Sequence, residues 1–208
     1  MSAIRCVAIA NRGEAALRCL RTLKAQRARD GSGPLALALY TDPDRGAPFV
    51  RHADRALELP APAGARAAHL DADAVLAAAL RGGADALWPG WGFLAEDPAF
   101  ADRVEAAGLR FLGPPGEVMR RLGDKIEAKR LAERLGVPVA PWSGEALAGA
   151  EAARKCAERL GGPLLLKAAA GGGGRGIRPV DDPAALDELL ASASREALRA
   201  FGDGRVYL

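Results

Sequence analysis

Lys167 closes an apolar run, Pro163 to Leu166, and four positions later the chain enters an unbroken glycine tract, Gly171 to Gly174, followed by Arg175 and Gly176. Glycine has no Cβ, so such a tract can take positive φ and bring its backbone amides up against a polyanion. Two cations beside a loop of exposed N–H groups are the materials of a phosphate cradle. Composition alone would equally fit a flexible linker. The flanks decide between them: Pro163 to Leu166 before the tract and Ile177 to Val180 after it read as two short strands joined by a glycine-rich turn, whereas a linker would lie in polar sequence. The tract also contains Gly171-x-Gly173-x-x-Gly176, formally a dinucleotide fingerprint. That motif needs a helix to open at its last glycine, and a strand-like segment holding Pro179 follows instead.

The elements that must hold this loop follow in chain order. Arg5 to Ala10 is a continuous apolar run, as expected of a strand buried on both faces, and is closed by Asn11, Arg12 and Gly13. A helix is predicted from Glu14, with an apolar stripe at Ala16, Leu17, Leu20 and Leu23, ending at Gly31 before the next strand, Leu35 to Tyr40. This βαβ unit implies parallel strands. A polar loop over residues 41–45, a strand at Ala56 to Leu59, a helix from Asp71 to about Leu80 and a strand at Asp85 to Trp88 continue the alternation. Asp97 and Pro98 open a further helix as N-cap and first-turn proline, and Leu109 to Leu112 is the last strand. Residues 1–113 therefore read as an open α/β domain with a mostly parallel, Rossmann-like sheet. Glu117 to Leu135 reads as two helices broken at Gly123, Asp124 and Lys125. A helix over Ala150 to Leu160, the strand–loop–strand, a helix from Asp182 and Pro183 to Phe201, and a strand starting at Arg205 form a small α+β unit.

The bulk properties exclude several classes. With 208 residues and 50% apolar composition the chain can form one large core or two modest ones. The 29 basic and 26 acidic residues balance to +3, too even to imply nucleic acid. Cys6, Cys19 and Cys156 show no CxxC spacing and read as reduced thiols of a cytoplasmic protein, and His52 and His69 are too few for a histidine-based metal site.

Six stretches together resemble the biotin carboxylase family, in its order and near its spacing: IANRGEAALR (Ile9 to Arg18), YTDPDR (Tyr40 to Arg45), PGWGFLAEDPAF (Pro89 to Phe100), FLGP (Phe111 to Pro114), GDKIEAKRLAERLGVPV (Gly123 to Val139) and KAAAGGGGRGIR (Lys167 to Arg178). The resemblance implies an α/β, ATP-grasp architecture: a pre-ATP-grasp domain over 1–113, a helical connector over 114–136 and an ATP-grasp lid over 137–208. The carboxyl-terminal part of the ATP-grasp fold lies outside the chain. It implies nucleotide binding by Lys125, Lys167 and the glycines Gly171, Gly172, Gly173 and Gly174. It implies a reaction in which ATP activates bicarbonate to carboxyphosphate, which then carboxylates biotin. No catalytic residue and no ligand of the implied magnesium ions falls within the chain, so the chain alone is expected to be inactive.

The partners so implied are biotin carboxyl carrier and carboxyltransferase domains or subunits and, through the first helix with Arg18 and Arg21, a second copy of the chain; neither nucleic acid nor membrane is among them. Two readings stand beside this one: another ATP-grasp ligase of the carbamoyl-phosphate synthetase kind, and a non-catalytic binding or assembly module. Two departures from the family pattern stand out. Trp88 and Trp91 occupy positions usually held by His and Tyr, and Ala169 and Ala170 replace the usual Ser-Gly. The two tryptophans read as packing residues, Arg175 as either functional or a solvated loop tip, and Asn11, Arg12 and Gly13 as either a ligand-side loop or a capped turn.

Overall fold

A computed structural model describes residues 3–171 and 176–208, and the chain divides into two compact units, Met1–Met119 and Arg120–Leu208. In the first, β1 (Cys6–Ile9), α1 (Gly13–Asp30), β2 (Leu35–Tyr40), α2 (Pro48–Arg51) and β3 (Arg55–Glu58) are followed by α3 (Ala65–Ala68), α4 (Ala72–Arg81), β4 (Ala86–Trp88), α5 (Pro98–Ala106) and β5 (Arg110–Phe111). The next helix, α6 (Gly116–Gly123), runs across the boundary between the units. The strands form one parallel sheet in the order β3-β2-β1-β4-β5.

Alternation along β1 explains why the run is apolar throughout. Val7 and Ile9 pack with Ala16, Leu20 and Leu23 of α1, while Cys6 and Ala8 pack with Val75, Ala78 and Ala79 of α4 and with Phe100 and Val104 of α5. A strand covered on both faces has no polar side to show. The chain builds outward from β1 to β3 and then returns to place β4 on β1's other edge, so the order of the sheet reverses between β1 and β4. In such sheets that reversal opens a crevice at the carboxyl ends of the strands.

The predicted elements of this unit are present, with ends shifted by a residue or so: Arg55–Glu58 for the strand placed at Ala56 to Leu59, and Arg110–Phe111 for the one placed at Leu109 to Leu112. Single-turn helices α2 and α3 were not expected, because four residues are too few to display a helical period. Asp97 caps α5 by accepting from the N–H groups of Ala99 (2.9 Å) and Phe100 (3.1 Å).

At the amino edge of the sheet two aspartates tie strand starts together. Asp85 accepts from the Arg5 and Cys6 amides and from Arg5 Nε, and Asp54 accepts from the Ala36 amide (2.8 Å) while paired to Arg27 (2.8 Å). Burial works against ionisation of both carboxyl groups, but the hydrogen bonds and arginine partners outweigh it and hold both below their ordinary value.

The second unit contains α7 (Lys125–Arg134), α8 (Ala150–Leu160), β6 (Leu164–Ala168), β7 (Ile177–Val180), α9 (Leu186–Phe201) and β8 (Val206–Tyr207). Its sheet, ordered β7-β6-β8, is antiparallel throughout. Leu166 and Val180 belong to a core closed by Ala153 and Cys156 of α8 and by Leu186, Leu190 and Ala193 of α9. Strand alternation sends Leu165 and Lys167 to the opposite face, in register with Pro179, Ile177 and Tyr207. Asp124 ends the α6 helix and starts the α7 helix, accepting from the amides of Ile126 (2.9 Å) and Glu127 (3.0 Å). Among the described residues no helix is long and apolar enough to cross a membrane, and all three cysteines are free thiols.

Two outcomes follow for the first unit. Asp97→Ala should lower its stability by about 1 kcal/mol, read from urea unfolding, through loss of the cap. Because Asp54 and Asp85 have lowered carboxyl pKa values, their contribution is present above the ordinary value of 3.8 and is lost as pH falls through the lower folded values. Urea midpoints taken between about pH 6 and pH 2 should fall on the acid side, and less steeply in Asp85→Asn.

Candidate functional site

The site begins at the first turn of α7. With Asp124 as N-cap, Lys125 is the first helical residue, and its amide donates to the Ala169 carbonyl (3.0 Å), fixing the helix start against the segment between β6 and the glycine tract. The Lys125 ammonium donates to the Gly171 carbonyl, at the root of the tract. Lys167 lies two residues before Ala169 on β6, cross-strand from Ile177 on one side and Tyr207 on the other. Burial lowers the Lys125 pKa, the Lys167 charge lowers it further, and Asp124 acts in the opposite direction.

A third cation joins them. Lys129 lies one helical turn beyond Lys125, donates to the Ala140 carbonyl (3.2 Å) and sits 5.4 Å from the centre of the Trp142 ring. Its pKa is lowered by burial and then by Lys167, against Glu133. Trp142 is buried, donates its Nε1–H to Glu133 (2.6 Å) and meets Tyr207 edge-on, with ring centres 5.9 Å apart. Ile126 and Ala169 complete this apolar wall.

Further along the same sheet face Leu165 and Ile177 are 46% and 45% exposed. One small surface thus offers an apolar patch beside ammonium groups, which suits a ligand with a flat apolar part and an anionic tail.

Gly171, which opens the tract, and Gly176, just beyond it, require glycine for steric reasons. Gly171 has φ 100°, and a Cβ there would lie 2.4 Å from the Phe201 ring; Gly176 has φ 74°, with Ala168 in the way at 2.9 Å. Of the residues expected to bind nucleotide, Lys125, Lys167 and Gly171 come together in the second unit. Gly172, Gly173 and Gly174, with Arg175, lie outside the described residues. Lys129 and Trp142 were not singled out from sequence. The i,i+4 spacing of two lysines in the first turns of a helix was the one available signal, since like charges so placed repel.

In the first unit, Asn11 is buried and fully used. Its Nδ2 donates to the Pro89 and Trp91 carbonyls, both at 2.8 Å, and its Oδ1 accepts from the Arg12 amide. It laces the loop after β1 to the loop after β4, across the sheet's reversal point. Arg12 pairs with Asp44 through two hydrogen bonds of 2.7 and 2.6 Å. Trp88 is half-buried in the core, as expected, but Trp91, expected to pack, is 56% exposed and touches the Trp88 ring by its edge.

Residues 3–119 match the family model described as biotin carboxylase, N-terminal domain. The chain belongs to the biotin carboxylase family. Residues 124–208 match a second model, carbamoyl-phosphate synthase L chain, ATP binding domain.

The biotin-dependent acyl-coenzyme A carboxylase alpha3 subunit of Mycobacterium leprae is 41% identical over 207 residues, spanning 100% of this chain and 33% of its own length. Among solved structures, a biotin carboxylase from Campylobacter jejuni in a beta-gamma-ATP complex superposes with a TM-score of 0.89 at 43% identity, covering 98% of this chain and 44% of that one. The biotin carboxylase domain dimer of 2-oxoglutarate carboxylase from Hydrogenobacter thermophilus, bound to ADP with magnesium and to bicarbonate, gives 0.88 at 37% identity, with coverage of 100% and 44%. The chain therefore spans less than half the length of the family members it matches.

The mutual influence of the lysines is measurable. In Lys167→Met, both Lys125 and Lys129 should titrate at higher pH than in the parent, by lysine side-chain NMR, because one repelling charge is gone.

Proposed function

We propose that the open face of the second unit binds the phosphates and adenine of ATP, and that the chain serves the ATP-dependent carboxylation of biotin. The observation that carries this is the meeting of Lys125 and Lys167 at the root of the glycine tract, on the face where Leu165 and Ile177 are bare. Phosphoryl transfer calls mainly for positioning and charge neutralisation. Two ammonium groups held near the tract's amides would neutralise phosphate charge, and the exposed Leu165 and Ile177 would receive an apolar base. ATP, when bound, supplies the phosphoryl group that activates bicarbonate to carboxyphosphate. Lys125, Lys167 and glycines Gly171 to Gly174 are the proposed contacts, the last three on sequence grounds.

In domain terms we read 1–113 as the pre-ATP-grasp domain, 114–136 as a helical connector that delivers Lys125, and 137–208 as the lid. Magnesium is implied as the companion of ATP, and among the described residues no group of three or more His, Cys, Asp or Glu side chains could hold a metal ion. The implied partners are a biotin carboxyl carrier and a carboxyltransferase, with a second copy of the chain as dimer partner, in the cytoplasm. The match of residues 3–119 favours this over a carbamoyl-phosphate synthetase role, which the second match alone would allow.

An ATP analogue carrying a reactive acyl phosphate tests the site, because it acylates lysines that lie against the phosphates. The chain has five lysines, Lys24, Lys125, Lys129, Lys155 and Lys167. Labelling should concentrate on Lys125 and Lys167 and be suppressed by ATP. Equal, ATP-insensitive labelling that includes Lys24 and Lys155 would overturn the nucleotide reading.

A further inference from the structure

Lys125 is held from two directions, and both lead to Arg205. On the main-chain side the Lys125 amide donates to the Ala169 carbonyl (3.0 Å), and the Ala169 amide donates to the Arg205 carbonyl (2.9 Å). On the side-chain side Asp124 caps α7 with Oδ1 and accepts from Arg205 Nη2 with Oδ2 at 2.7 Å. The three links close a ring: Arg205 to Ala169, Ala169 to Lys125, and Asp124 back to Arg205. The same guanidinium is locked in place by Asp203, through Nη2 at 2.6 Å and Nε at 3.0 Å, while the Arg205 amide donates to Asp203 Oδ1 at 2.9 Å. A planar fork bridging two carboxylates is a geometry that arginine holds and lysine does not.

We infer that Arg205 is the positioning residue for Lys125: it pins the first turn of α7 to the start of β8 and so keeps the Lys125 ammonium on the Gly171 carbonyl, where the glycine tract begins. The placement stands on the geometry alone, and its use for phosphate rests on the nucleotide reading above. A purely local role, bracing the Gly202 to Arg205 turn through Asp203, would leave Lys125 where it is. The bond to Asp124, 81 positions away, is what distinguishes the two.

The test uses the 208-residue chain with isotopically labelled lysines and two variants, Arg205→Ala and Arg205→Lys. Among the described residues the charged groups acting on Lys125 are Asp124 and Lys167. If Arg205 positions Lys125, releasing the first turn exposes the ammonium to water and frees the Asp124 carboxylate. Lys125 then titrates at higher pH in both variants, while Lys129, held by Ala140 and Trp142, titrates as in the parent and reports that α7 is still folded. With the acyl-phosphate ATP analogue, labelling of Lys125 relative to Lys167 should fall about tenfold in both, the scale of losing a charge-assisted contact. An unchanged Lys125 titration in Arg205→Ala overturns the inference. A parent-like titration in Arg205→Lys beside a shifted one in Arg205→Ala also overturns it, because charge alone would then account for the effect. If the parent chain is labelled at neither lysine, the nucleotide reading falls and the titrations still decide the positioning role.

Discussion

Like charge gathered on a small surface is the constraint around which the second unit is arranged. Lys167 acts on both Lys125 and Lys129, and each of those two is partly withdrawn from water, so the repulsion is felt at reduced screening. Ammonium groups left this way would separate unless their stems were held. Asp124 and Glu133 supply opposite charge, the carbonyls of Gly171 and Ala140 accept hydrogen bonds, and the Trp142 ring presents its face to Lys129. Among the described residues the direct contacts of Lys125 and Lys129 are carbonyls and a π-face rather than salt bridges.

Holding those stems requires rigid backbone on both sides. On one side β6 is clamped by Leu166 in the core with α8 and α9, so Lys167 is presented by a strand whose other face is buried. On the other side α7 is capped by Asp124 and bonded to Ala169, two residues from Lys167 in sequence. The apolar wall of Ile126, Trp142, Ala169 and Tyr207 fills the angle between them. Glycine enters where the packing leaves no room for a Cβ: Gly171 lies against the Phe201 ring, so the tract starts from a fixed point.

Much of this was legible in the sequence because the larger elements carry repeated signals. A strand such as β1 shows its two buried faces as an uninterrupted apolar run, and α5 announces itself through Asp97 and Pro98. Helices α2 and α3 were invisible because one turn has no period to detect. Lys167 could be placed at a strand end from its neighbours alone, whereas nothing local brings Lys125 near it; Lys125 is held there by the carbonyl of Gly171, 46 positions away. The bond between Arg205 and Asp124 is longer-ranged still, and a turn arginine beside an aspartate gives no hint of a second, distant carboxylate. Trp91 was misplaced for the opposite reason, since a large aromatic residue is usually buried and only the geometry of its loop leaves it exposed.

The two units also make contrasting use of polar side chains at their loops. Asn11 spends both ends of its amide on backbone groups, closing the loops at the sheet's reversal point upon each other, and Arg12 is spent on Asp44. The amide of Asn11 is thus consumed by the fold. At the root of the glycine tract the balance differs: among the described residues Lys125 gives one side-chain bond, to a carbonyl, and Lys167 stands between Ile177 and Tyr207 on a face that Leu165 and Ile177 leave open. Ammonium groups beside bare apolar surface are costly for a fold to maintain for its own sake, because the lysines repel and the leucine and isoleucine gain nothing from burial. A polyanion with an apolar end would relieve both terms at once, which supports the face of β6 as the proposed ligand face.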